Sequence, residues 1–409
     1  MKKIKRIIAI MLVMLMLAGI SAICALADES ETICVAIRIE GIGKALYYNR
    51  NFEVPEGATV LDLMEKLNET DDTPEVDIAD SVYGAYIGRI GELAEMDYGP
   101  MSGWSYLVND ESPAFGISMF ELSDGDSVVV YFGDPFSTGM QYPITDLSKL
   151  YSDGIISFTS IDTEYDEEWT PIITENPVSG ATVTLNSVTY TTDEDGGIKI
   201  SDKTGLAGFR ALQIERYDGE TGVPTVLRLE PDFEMYVPFA DTDDGAWYEL
   251  AVMFCVREWD FQGTNLSANL FEPLRTMTME ELVTVLTRVA DADIEPQTDP
   301  WYAGALEWAV ENDIIAEEDF AEGAGIPKDM FLHMFYLAVA LTGDQDMTVR
   351  ADITGAVDYD DINEEYLEAV SWAVAMDIVQ GTSDEELIID PGFEFNRAMV
   401  CRLLYNFFG

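Results

Sequence analysis

One aromatic-led helical motif occurs three times in the last third of the chain. Trp247-Tyr248-Glu249-Leu250-Ala251-Val252 returns as Trp301-Tyr302-Ala303-Gly304-Ala305-Leu306 and again as Tyr366-Leu367-Glu368-Ala369-Val370. Each copy opens on an acidic lead-in such as Phe239-Ala240-Asp241. An amphipathic helix follows, then a loop such as Gly263 to Pro273 or Gly381 to Pro391, then a second helix. A helix pair of this size cannot bury its own apolar face, so the three copies must share one core. This predicts an all-α body over 238–409, with copies at about 238–292, 296–344 and 352–409, that folds as a monomer.

The rest of the chain has a different rhythm. From Cys34 to Asp134 strand alternation, as in Val35-Ala36-Ile37-Arg38-Ile39, is interrupted by one helical stretch. There Thr59 is placed to cap, and Val60, Leu61, Leu63, Met64 and Leu67 recur at helical spacing. An α+β domain over 34–134 follows from that pattern. Residues 135–160 read as a linker. From 161 to 236 the pattern is all strand, with Pro177 to Leu185 and Gly208 to Ile214 alternating about the Asp193-Glu194-Asp195-Gly196-Gly197 turn, which predicts a small β-sandwich. The fold is therefore multidomain: α+β, then all-β, then all-α.

Compartment is read from the start of the chain. Lys2, Lys3, Lys5 and Arg6 precede an apolar run from Ile7 to Ile23, and Ala25-Leu26-Ala27 suits signal peptidase. Residues 1–27 read as a secretory signal peptide, with an uncleaved membrane anchor as the other reading of the same run. Export then leaves Cys34, Cys255 and Cys401, too few and too odd for a disulfide framework. The last two fall in apolar helical patterns and read as buried thiols.

With 22 Lys plus Arg against 77 Asp plus Glu, the net charge of −55 argues against nucleic acid as a partner. An enzyme is also disfavoured. The one histidine, His333, lies in the apolar run Met330 to Phe335. No nucleophile elbow, phosphate loop or paired-cysteine metal pattern is present, so no catalytic residue and no metal ligand is assigned.

Two family resemblances supply expectations about ligands. Val54-Pro55-Glu56-Gly57-Ala58-Thr59-Val60-Leu61-Asp62, Ser102-Gly103-Trp104-Ser105-Tyr106-Leu107-Val108-Asn109 and Leu122-Ser123-Asp124-Gly125-Asp126 together resemble the bacterial transcobalamin C-terminal-like domain. The resemblance implies a β-grasp-like fold. It also implies a ligand face built from Ser102, Gly103, Trp104, Tyr106 and Asn109, with a cobamide or another amphipathic small molecule as ligand. The other reading of Trp104 and Tyr106 is that both fill the core, since residues two apart on a strand share one face. The 161–236 segment is similar to Ig-like modules that act as spacers.

The region 238–409 resembles three tandem S-layer homology repeats. In that family three copies form one pseudo-threefold body that binds secondary cell-wall polysaccharide through an ITRAE-type motif opening each second helix. The motif here is eroded to Met277-Thr278-Met279-Glu280-Glu281, Ile326-Pro327-Lys328-Asp329-Met330 and Phe395-Asn396-Arg397-Ala398-Met399. Carried over position by position, the resemblance implies wall-polymer contacts at Trp247, Thr278, Glu281, Trp301, Lys328, Tyr366 and Arg397. Arg397 would be the leading anion contact and Lys328 the second. The whole reads as a non-enzymatic surface protein of a Gram-positive-type bacterium, held in the cell wall by its C-terminal repeats and displaying a ligand-binding domain. The alternative is a structural or adhesive S-layer-associated protein without a small-molecule ligand.

Overall fold

The computed structural model describes residues 32–134, 136–165, 170–295, 299–379 and 386–409. The expected signal peptide at 1–27 lies outside the described residues, as does the first part of the 381–391 loop. The described chain divides into two compact units, 32–201 with 211–235, and 202–210 with 236–409.

The first unit begins with a hairpin of β1 (Thr32–Glu40) and β2 (Ala45–Pro55). β6 (Gly103–Val108) and β7 (Ser127–Gly133) complete a sheet of order β2-β1-β7-β6, in which β7 runs parallel to β1. Helix α1 (Val60–Leu67) starts where Thr59 and Asp62 form a reciprocal capping box, the amide of Thr59 donating to Asp62 Oδ2 at 2.7 Å. Its Leu63, Met64 and Leu67 pack on Val35, Ile37, Ile39, Val128 and Val130. Strand period 2 sends the intervening Val129 and Tyr131 to the opposite face, where they meet Leu107 and Leu227. A small sheet of β3 (Val76–Ser81), β4 (Gly84–Ile90) and β5 (Leu93–Ala94) lies between α1 and β6 in sequence.

Two more sheets follow. One holds β8 (Ile144–Asp146), β9 (Ile155–Tyr165), β10 (Pro171–Pro177) and β13 (Gly197–Lys199), with β9 central. The other is ordered β12 (Val188–Thr191), β11 (Thr182–Leu185), β14 (Gly208–Tyr217), β15 (Pro224–Val226), with β16 (Glu234–Val237) paired to β14. Gly196 is obligatory in the acidic turn: its φ is +77°, and a Cβ there would stand 2.3 Å from the Phe158 carbonyl oxygen.

The expectation of a linker at 135–160 is corrected here. That stretch contains β8, the short helix α2 (Leu150–Asp153) and the first half of β9, with Ile156 and Phe158 fully buried. Gln141 donates its amide to Thr225 O at 3.0 Å, and the hydroxyls of Tyr142 and Tyr131 lie 2.9 Å apart. Short elements and polar turns hid a real strand pair. Residues 144–165 therefore contribute β8 and β9 to a sheet of the first unit. Residues 202–210 fall with the helical unit, where Asn269 accepts from the Ala207 amide at 3.0 Å and donates to Lys203 O at 2.5 Å.

The second unit contains α3 (Glu249–Trp259), α4 (Met279–Val289), α5 (Ala303–Glu311), α6 (Lys328–Thr342), α7 (Leu367–Ala375) and α8 (Arg397–Phe408). One core runs through all three copies, including Leu282, Leu286, Phe331, Phe335, Trp372 and Leu404. Short backbone bridges link the copies in a closed cycle: Thr276 to Asn396, Thr278 to Gly325 and Pro327 to Glu394. The first helix of each copy is followed by a left-handed aspartate, Asp260, Asp313 and Asp377, with φ of 47°, 55° and 58°. Cys255 and Cys401 are buried free thiols, Cys255 Sγ donating to Cys401 O at 3.7 Å. Among the described residues no helix is long and apolar enough to cross a membrane.

Candidate functional site

Strand β6 carries the first candidate site. Trp104 and Tyr106 do share one face, and each is half-buried against the α1 core. The Trp104 ring meets Phe132 edge-on at 5.3 Å, and Tyr106 meets Phe120 at 6.5 Å. Their polar groups are already engaged. Trp104 Nε1 donates to Leu93 O at 3.2 Å, and the Tyr106 hydroxyl donates to Phe115 O at 2.6 Å. The apolar side chains of Met101, Tyr98 and Phe115 remain exposed in the neighbouring segments. What the strand offers a ligand is therefore ring surface rather than hydrogen bonds.

Ser102 and Asn109, both expected as ligand contacts, have structural work. Ser102 is buried, its Oγ accepting from the Tyr98 amide at 3.1 Å and donating to Gly99 O at 3.0 Å. Asn109 sits at φ 51°, a region asparagine tolerates better than most residues. Its side chain donates to Asp126 Oδ1 at 2.8 Å and accepts from the Ser127 amide at 2.9 Å, which ties the end of β6 to the start of β7. Gly103 faces the Cβ of Glu95, 3.7 Å from where its own Cβ would stand.

The second candidate site lies where the second helices of the three copies begin. Arg397 is not an exposed anion contact: its side chain is 6% exposed. Nη1 pairs with Glu281 Oε1 at 2.8 Å, Nε donates to Phe271 O at 2.9 Å, and Nη2 donates to Gln262 O at 2.8 Å. The guanidinium also covers the Phe271 ring at 4.4 Å. Glu281 takes a second cation, Arg275 Nη2 at 2.5 Å, and its Oε2 accepts from the Thr278 amide at 3.1 Å. Lys328 is buried as well, donating to Ile389 O at 2.6 Å above the rings of Phe393 and Phe395. Burial pushes its ammonium below the ordinary lysine range. The chain thus spends the two cations expected to meet polymer on its own carbonyls and carboxylate. Arg275, which sequence reasoning missed, completes the cluster, and no motif spacing pointed to it.

The aromatic leads of the copies are placed differently. Trp247 and Trp301 are each 51% exposed, although the tyrosine after each is buried. Each indole stands edge-on to that tyrosine, with ring centroids 5.3 Å apart at 81° in the first copy and 5.6 Å apart at 90° in the second. In the third copy Tyr366 is half-buried and stacks on His333 at 4.6 Å, so the one histidine packs on an aromatic ring. Among the described residues no cluster of three or more His, Cys, Asp or Glu could hold a metal ion.

Comparison with known proteins reaches the first unit. Residues 57–134, from the turn before α1 to the end of β7, match a family described as a domain of unknown function, DUF4430. No curated protein matches the chain. Among solved structures, haptocorrin in complex with Cbi is similar at 21% identity and a TM-score of 0.24, and the similarity covers 27% of this chain and 27% of that one. A protein from Ruminococcus gnavus, whose description offers metal binding as a candidate role, is similar at 18% identity and a TM-score of 0.21, over 25% of this chain and 97% of its own. The family match and both similarities thus cover about a quarter of the chain or less, and the unknown-function family accounts for 57–134 alone.

Proposed function

We propose that this is an exported, non-enzymatic surface protein whose C-terminal unit, built from three S-layer homology-type repeats, holds it to cell-wall polysaccharide of a Gram-positive-type bacterium. The observation that carries this reading is the pair Trp247 and Trp301, half-exposed at matching positions of two copies and each braced by a buried tyrosine. A rigid exposed indole offers a sugar ring a flat apolar face at little entropic cost. In this reading the polymer is gripped by aromatic platforms, because Arg397 and Lys328 are committed internally. Retention of the full chain on purified wall sacculi tests it.

The first unit, in the same proposal, displays a ligand-binding face for a cobamide or a similar amphipathic molecule, resting on the ring surfaces of Trp104 and Tyr106. A second reading, a structural surface protein without such a ligand, is favoured by one fact: the indole N–H and the phenol hydroxyl are both taken by backbone carbonyls. Calorimetry of the full chain with cobamides separates the two.

A further inference from the structure

We propose that the cleft between the β1–β2 hairpin and the segment 228–231, within the first unit, binds a small organic carboxylate. The cleft has a volume of about 470 Å³, and its walls include Glu40, Lys44, Leu46, Tyr47, Arg228 and Pro231. That volume is in the range that accepts small organic ligands.

The polar groups around it satisfy one another only in part: Arg38 Nη1 donates to Glu40 and to Arg228 O at 2.6 Å, and other atoms are left unmet. The Arg228 guanidinium donates no hydrogen bond among the described residues, although its side chain is only 19% exposed. Its neighbouring carboxylates stand off, Glu215 Oε2 at 3.6 Å from Nε and Glu40 Oε2 at 3.8 Å from Nη1. Glu40 is 4% exposed, and its Oε2 has no hydrogen-bond partner. Oε1 of the same group accepts from Arg38 Nη1 at 3.2 Å, and Arg38 Nε is likewise buried and unmet. Buried charged donors left unmet are costly, so a cluster of them beside an open cleft marks a place for an incoming group.

The sign of that group follows from the charges. Among the residues that line the cleft, Lys44 and Arg228 stand against Glu40 alone, an excess of one positive charge in a chain whose net charge is −55. The Lys44 side chain is exposed at the mouth and makes no ion pair or hydrogen bond among the described residues. A planar carboxylate suits an arginine fork, and a monoanion matches the excess of one. Burial pushes the Glu40 carboxyl up, and Arg38 and Arg228 oppose that push. The Tyr47 ring, Leu46 and Pro231 give the body of the ligand an apolar wall.

The test is a calorimetric titration of the full chain with benzoate, benzamide and inorganic phosphate. Benzoate should bind saturably, and benzamide about tenfold more weakly or not at all. Arg228→Gln should weaken benzoate about tenfold. Lys44→Gln, an exposed substitution that leaves the packing untouched, should weaken it severalfold while circular dichroism stays unchanged. Absence of saturable benzoate binding overturns the proposal. So do undiminished binding by Lys44→Gln, benzamide binding as well as benzoate, and phosphate binding more tightly than benzoate.

Discussion

Arg397, the first residue of the last helix, pairs across 2.8 Å with Glu281 in the first copy, and so joins the two ends of the three-copy body. The pair is almost dry, at 6% and 16% side-chain exposure. Removing Arg397 leaves Glu281 with Arg275 as its cation and takes the donor from the carbonyls of Phe271 and Gln262, at about 1–3 kcal/mol for each buried group left unmet. Arg397→Ala should therefore lower the urea midpoint of the helical unit steeply, and Arg397→Lys should recover only part, since a lysine cannot reach Glu281, Phe271 O and Gln262 O at once. A midpoint unchanged in Arg397→Ala would mean that the pair does not hold the copies together.

The same pair gives the unit an acid limit. Burial pushes the Glu281 carboxyl up, but Arg397, Arg275 and the Thr278 amide outweigh it and hold it below the ordinary carboxylate range. Because the folded value lies beneath the unfolded one, this stability is fully present above the unfolded value and is lost as pH falls through the folded one. Between about pH 5 and pH 3 the parent should lose more stability than Glu281→Gln, which has no charge to lose there. Parallel losses in the two proteins would contradict the assignment.

Asp241 and Asp358 do equivalent work in the first and third copies. Asp241 accepts from the amides of Phe271 and Glu272 at 2.8 and 2.7 Å, and Asp358 from those of Ile389 and Asp390 at 3.0 and 2.6 Å. In each case the second amide belongs to a left-handed residue, with φ of 54° at Glu272 and 56° at Asp390, followed by a proline. Asp241→Asn and Asp358→Asn should each cost about 1–3 kcal/mol, by amounts similar to each other. Thermal melts showing one harmless and one severe would break the equivalence of the copies.

Asn109 separates structure from ligand binding in the first unit. Asn109→Ala loses two side-chain hydrogen bonds and places alanine at a left-handed φ, a cost of about 1–2 kcal/mol. Its affinity for a cobamide should match the parent's. Trp104→Ala should weaken an affinity that, for one open face, lies near micromolar, about −8 kcal/mol. Calorimetry of the full-length variants checks both, and equal affinity in Trp104→Ala would remove the aromatic face from the ligand site.

Much of this architecture was legible from local pattern. The α1 cap at Thr59, the shared face of Trp104 and Tyr106, and the tandem copies led by Trp247 and Trp301 follow from spacing alone, because period and capping are properties of neighbouring residues. What escaped is long-range. Arg397 has the sequence of a surface cation, and its burial depends on Phe271, Gln262 and Glu281, more than a hundred residues away. Arg275 lies outside the motif and joins the cluster only through the fold. The cleft at Glu40 likewise needs Arg228, from the segment after β15, far along the chain. The 135–160 stretch misled because β8 and α2 are too short to show a period.

The central claim is attachment to the wall through Trp247 and Trp301, and cosedimentation of the full chain with purified sacculi measures it. The parent should pellet saturably, and Trp247→Ala with Trp301→Ala together should weaken binding by about tenfold or more, since each stacked ring contributes about 0.5–1.5 kcal/mol beyond its buried area. A parent protein that stays in the supernatant, or a double variant that pellets as the parent does, would contradict it.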